Sequence, residues 1–165
     1  MVTNPTPDFL PILETLIKHE VDFIIVGGVC AVLHGVPMTT FDLDLVHSRT
    51  PENLDRLTTA LKELDAYYRG HGDQRLTPDL THLFSAGHQL LMTRFGPLDL
   101  PGTIGVGHSY EDLLADTVQL QVTGLRLDIL GLERLIRVKE ETAGDKDKAT
   151  LPILRRTLEE KLKRS

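Results

Sequence analysis

The stretch Phe23-Ile24-Ile25-Val26-Gly27-Gly28, followed after residues 29–41 by Asp42-Leu43-Asp44-Leu45, decides the fold. Four consecutive apolar residues, two of them β-branched isoleucines and one a valine, read as a buried strand. The Gly-Gly pair then turns the chain into a short apolar helix over 28–35. Gly35 closes that helix, and Pro37 bars its continuation. Residues 41–47 read as a second strand. Side chains alternate along a strand, so Asp42 and Asp44 share one face while Leu43 and Leu45 point to the other, toward a core. Two carboxylates held side by side repel each other unless a cation sits with them. A Gly-Gly turn at a helix start presents backbone N–H groups suited to phosphate. Together these features point to metal-assisted chemistry on a nucleotide.

Working outward, residues 7–19 carry Phe9, Leu10, Leu13, Leu16 and Ile17 at helical spacing. Thr50-Pro51 supplies a helix N-cap followed by proline at the first helical position, and Leu54, Leu57, Leu61 and Leu64 carry that helix to about Asp65. Residues 66–80, rich in Gly, Asp, Arg and Pro, read as a loop. Strands are expected at 81–85, 89–94 and Leu98-Asp99-Leu100, then a glycine-rich loop over 101–107. Ser109 caps a short helix through Ala115. Thr123-Gly124 joins strands at 117–122 and 125–130 as a hairpin. Two helices, 131–143 and 148–163, finish the chain. This order predicts an α/β (α+β) fold, a small mixed β-sheet with helices packed mainly on one face.

Composition sets the outer bounds. The 165 residues suit a single domain, 1–165, with the C-terminal helices of 131–165 packed on it. No run approaches the ~18 apolar residues of a membrane span, and Met1-Val2-Thr3-Asn4-Pro5 does not read as a signal peptide. The lone Cys30 leaves no internal disulfide, so a cytoplasmic location is expected. The net charge of −6 argues against broad non-specific binding to nucleic acid. That charge is unevenly spread: residues 131–165 hold ten Lys/Arg against seven Asp/Glu, a net of +3, which leaves −9 on residues 1–130. The basic C-terminal segment reads equally as a track for phosphates and as an ordinary solvated helical face.

The run Val26-Gly27-Gly28…Asp42-Leu43-Asp44-Leu45, with Ala31-Val32-Leu33-His34-Gly35 and Thr40 between, resembles the signature of the nucleotidyltransferase superfamily that includes DNA polymerase beta. Near the C-terminus, Leu135-Ile136-Arg137-Val138-Lys139 and Gly144-Asp145-Lys146-Asp147 resemble a second pattern of its small bacterial members, among them abortive-infection-type toxins of toxin–antitoxin pairs. The resemblance implies a transfer of NMP from an NTP to a hydroxyl of tRNA, protein or a small molecule, dependent on Mg2+ (or Mn2+). It implies metal ligation by Asp42, Asp44 and a third carboxylate, and nucleotide binding by Gly27, Gly28, Thr40, Lys139 and Lys146. A cognate antitoxin is an implied partner; a membrane is not.

From the residues alone the third carboxylate is either Asp99, in Leu98-Asp99-Leu100, or Asp128, in Leu127-Asp128-Ile129. The family's third acid lies on a central strand after the Asp pair, which favours Asp99. Two departures stand against full activity. Met38 lies where many relatives carry arginine, and Asp145 lies where they carry a basic residue. A catalytically degenerate nucleotide-binding or partner-binding module is therefore the alternative expectation. Other chemistries lack support: there is no G-x-G-x-x-G, no G-x-x-x-x-G-K-[ST], no H-E-x-x-H and no G-x-S-x-G.

Overall fold

The computed structural model describes residues 8–165, excluding the side chains of residues 145–147. Helix α1 (Phe9–Lys18) starts at Asp8, whose side chain accepts from the Leu10 N–H. It leads into β1 (Phe23–Val26), then α2 (Gly27–Leu33), β2 (Leu43–His47) and α3 (Pro51–Glu63). Thr50 caps α3 with Pro51 at its first position, the arrangement its sequence predicts. Next come β3 (Tyr67–Tyr68), α4 (Leu80–Phe84), β4 (His88–Thr93), β5 (Gly96–Pro101) and α5 (Tyr110–Leu113). The hairpin β6 (Thr117–Val122) and β7 (Leu125–Leu130) precedes α6 (Leu132–Glu141) and α7 (Asp145–Arg164).

The described strands form one mixed sheet in the order β3-β4-β5-β2-β1-β7-β6. β1 lies antiparallel to β2 and parallel to β7; β2 lies parallel to β5. All four residues of β1 are buried. Because side chains alternate, both faces of this central strand are covered. Leu43, Leu45, Leu98 and Leu100 are each at most 1% exposed, so the leucines flanking Asp44 and Asp99 anchor β2 and β5 in the core.

Two polar clamps hold the elements around the Gly-Gly turn. Buried Asn53 accepts from the Asp22 N–H at 2.7 Å and donates to the Ser48 carbonyl at 2.7 Å, tying the outer ends of β1 and β2 to α3. On α2, the Cys30 thiol and His34 Nε2 both donate to the Leu130 carbonyl, at 3.1 and 2.7 Å. Lys161 of α7 donates to His34 Nδ1 at 3.0 Å. Burial pushes the Cys30 thiol up to about 12 and holds His34 below the usual imidazole range. Both are therefore neutral structural groups that fix α2 against β7 and α7.

One expected element has a different form. Residues 81–85 are not a strand, for Leu80–Phe84 form α4. Asp79 caps it by accepting from the His82 N–H, and Leu80, Leu83 and Phe84 stand at helical rather than strand spacing. The expected loop at 66–80 also contains β3, which pairs with β4 at the edge of the sheet.

Candidate active site

Asp44 and Asp99 are paired in register across the parallel strands β2 and β5. Asp42 lies just before β2, and its half-exposed side chain reaches the same cleft. The alternation that buries the flanking leucines is what turns these carboxylates together. The two carboxyls are close enough that the charge of Asp99 acts on Asp44. Burial, then the neighbouring Asp99 and Asp42 charges, push the Asp44 carboxyl up to about 7, with Lys139 opposing. Burial also raises Asp99, against the pull of the Arg69 guanidinium.

Gly27 is fitted to this geometry. Its φ of +69° is a left-handed conformation, and a Cβ there would stand 2.2 Å from Asp44 Oδ2. Gly28 is equally confined, for a Cβ would stand 2.6 Å from Thr40 Oγ1. The Thr40 hydroxyl donates to the Asp42 carbonyl at 3.3 Å, bracing the entry to β2.

Two clefts meet at the carboxylates. One, of about 280 Å³, is lined by the Gly27-Gly28 turn, Thr40, Phe41, Asp42, Asp44 and Lys139 among others. The second, of about 360 Å³, takes in Asp42, Asp44, Asp99, His88, Ile104 and Lys139. Asp42, Asp44, Gly27 and Lys139 border both. The structure thus brings together Asp42, Asp44, Asp99, Gly27, Gly28, Thr40 and Lys139. Asp128 is elsewhere: it pairs with Gln119 of the edge strand β6, and its charge acts on Tyr110. The Lys146 side chain, like that of Asp145, lies outside the described residues.

Arg69 is the participant that the sequence did not disclose. It follows β3 directly, and its Nη2 contacts Asp99 Oδ1 while its Nη1 lies 3.6 Å from Asp42 Oδ1. Tyr67-Tyr68 before Arg69-Gly70 was the available signal, an aromatic strand end running into a glycine turn.

The donor set of three carboxylates has the hard oxygen chemistry that magnesium favours. By donor type the residues present fit a divalent cation, although the three carboxylates are not gathered into a ligand set in this conformation. In this conformation Arg69 supplies the cation between Asp42 and Asp99. Among the described residues no group of three or more His, Cys, Asp or Glu is arranged to hold a metal ion.

Neither known protein families nor curated proteins give a sequence match to this chain. Solved structures do match in fold. A Thermotoga maritima protein provisionally assigned as a nucleotidyltransferase superposes with a TM-score of 0.55 at 17% identity, over 91% of this chain and 89% of its own. The lincomycin-bound lincosamide antibiotic adenylyltransferase LnuA gives 0.59 at 10% identity, over 89% and 94%. The antibiotic-resistance factor ANT(2'')-Ia gives 0.55 at 15%, over 89% and 80%. The fold is that of the nucleotidyltransferases. No helix among the described residues is long and apolar enough to cross a membrane.

Proposed function

We propose that this chain is a nucleotidyltransferase that moves an NMP from an NTP to an acceptor hydroxyl. The observation that carries the reading is the in-register pairing of Asp44 with Asp99, beside Asp42 and opposite the Gly27-Gly28 turn. Asp42, Asp44 and Asp99 would hold Mg2+ (or Mn2+), which when bound neutralises phosphate charge and lowers the pKa of a ligated hydroxyl. The turn at Gly27-Gly28 lines the smaller cleft and offers backbone N–H groups to the triphosphate. Lys139, at the junction of both clefts, adds positive charge beside the leaving pyrophosphate. Lys146, just inside the start of α7, is assigned to the same task on the resemblance alone.

The acceptor belongs in the larger cleft, against Asp99. Its oxygen forms a bond to the α-phosphorus as the bond to the pyrophosphate oxygen breaks, and Asp99 takes the hydroxyl proton. Burial keeps Asp99 more basic than a free carboxylate, in keeping with that role. The LnuA structure holds lincomycin, so a small-molecule acceptor has a precedent in the fold. A tRNA or protein hydroxyl is the other class of acceptor, with an antitoxin as the matching partner. A single domain acting in the cytoplasm, with Cys30 reduced, fits this role.

Calorimetry with each of the four NTPs, with and without magnesium, tests the proposal on wild type and on Asp42→Ala/Asp44→Ala. Magnesium-dependent binding lost in the folded double variant supports it, and transfer of label from α-labelled NTP completes it. A folded wild type that binds no NTP would sink it. A second reading, a nucleotide- or partner-binding module without turnover, is favoured by the Arg69 bridge across the carboxylates. It predicts binding without label transfer.

A further inference from the structure

We propose that Arg69 is a built-in counter-ion that competes with the divalent cation for Asp42 and Asp99, so that loading the site requires its side chain to withdraw. The inference rests on the reading of these carboxylates as metal ligands. Asp42 comes from the entry to β2 and Asp99 from the neighbouring strand β5, and one guanidinium spans both. An arginine cannot shed its charge, and its fixed fork of donors claims oxygen atoms that a metal ion would need. A guanidinium and a divalent ion cannot share those oxygens, because their charges repel at a few ångströms in a part-buried site.

The bridge is built from the backbone upward. Arg69 is pinned by its own N–H, which donates to the Leu90 carbonyl at 3.0 Å, while the Tyr68 N–H donates to Leu76 at 2.8 Å. Its side chain is 26% exposed and Asp99 15%, so water screens this pair less than a surface ion pair. Directly after it, Gly70 has φ +87° with no atom within 4 Å of a would-be Cβ. The backbone bonds hold Arg69 at the sheet edge while its side chain turns on its own rotatable bonds, so withdrawal does not require the sheet to break. Lys139 of α6 lines both clefts and acts on Asp44, while Arg69 contacts Asp42 and Asp99 directly.

Titrating Mn2+ alone into wild type, Arg69→Gln and Arg69→Lys by calorimetry tests the competition without any turnover. Arg69→Gln should bind Mn2+ roughly tenfold more tightly, the scale of one charge-assisted hydrogen bond. Arg69→Lys should fall between, since a point charge on one stem reaches one carboxylate rather than two. Thermal unfolding supplies the second readout. Arg69→Gln should melt lower than wild type without metal and gain more on adding Mn2+; a merely structural arginine would lower both states alike. Equal or weaker Mn2+ affinity in Arg69→Gln overturns the competition and leaves the transferase reading standing. Absence of Mn2+ binding in every variant overturns both. Should Arg69→Gln fail to fold, Arg69→Lys decides, and affinity no tighter than wild type rejects the proposal.

Discussion

The segment β1-α2-β2 and the arm from β3 to β5 deliver charged groups to the same cleft by different routes. In the first, Gly27, Gly28, Thr40, Asp42 and Asp44 lie within eighteen residues of each other, and short local contacts set their geometry. In the second, Arg69 and Asp99 are thirty residues apart and meet only because β3, β4 and β5 lie side by side. The contrast teaches that one half of the site is written as a motif and the other as a register. A motif survives in the local sequence; a register depends on every strand between.

If both halves serve one reaction, breaking either carboxylate partner should be equally severe. Asp44→Asn and Asp99→Asn should each lower NMP transfer by on the order of 10²–10³ with the fold retained, the loss typical of a charge-stabilising group. Label transfer by purified variants, alongside circular dichroism, measures it. Loss in Asp44→Asn only would confine the chemistry to the local half.

The local half should be the more brittle in stability. Gly27→Ala puts a methyl group against Asp44 Oδ2 at a φ of +69°. The expected cost is about 2 kcal/mol or more, from left-handed strain plus overpacking. That corresponds to a fall in Tm of roughly 4–8 °C for a chain of this size.

A pH titration sharpens the comparison further. The folded Asp44 carboxyl is lifted from 3.8 to about 7, so between those values the folded state binds more protons than the unfolded. Stability contributed by Asp44 is therefore full below about pH 4 and declines as pH rises toward 7. Glu63, Asp112 and Glu141, all lowered, act in the opposite direction at acid pH. The difference between wild type and Asp44→Asn isolates the effect: without metal, the advantage of wild type should shrink from pH 5 to pH 7.5. A difference curve that is flat, or that rises, would contradict the crowding of carboxylates.

The smallest effect belongs to the carboxylate the structure sets aside. Asp128→Asn should change stability by no more than about 0.5 kcal/mol and leave transfer intact, because Asp128 sits by the edge strand away from both clefts. A transfer defect there would favour Asp128 over Asp99 as the third acid.

The carboxylate strand was legible because alternation is a local rule: Leu43 and Leu45 must be buried, so Asp44 between them must turn the other way, while Asp42 falls just before the strand, which starts at Leu43 rather than residue 41. The helix starts at Thr50 and Ser109 were legible for the same reason, each cap bonding within three residues. Where the reading faltered, several local rules were satisfied at once. Leu80, Leu83 and Phe84 sit in a short apolar stretch that periodicity alone assigns to strand or helix, and the Asp79 cap decided it. The two residues of β3 are too few to show any period, so Arg69 was hidden in an expected loop.

By itself, the sequence determined the strand–turn–helix–strand unit, its face of carboxylates and the need for glycine at the turn, because these follow from side-chain alternation and backbone sterics over a few residues. Only the tertiary structure decided that Asp99 rather than Asp128 joins them, and that Arg69 stands between. Strand order and register couple residues far apart in the chain, and both strands offered the same alternating pattern around an aspartate.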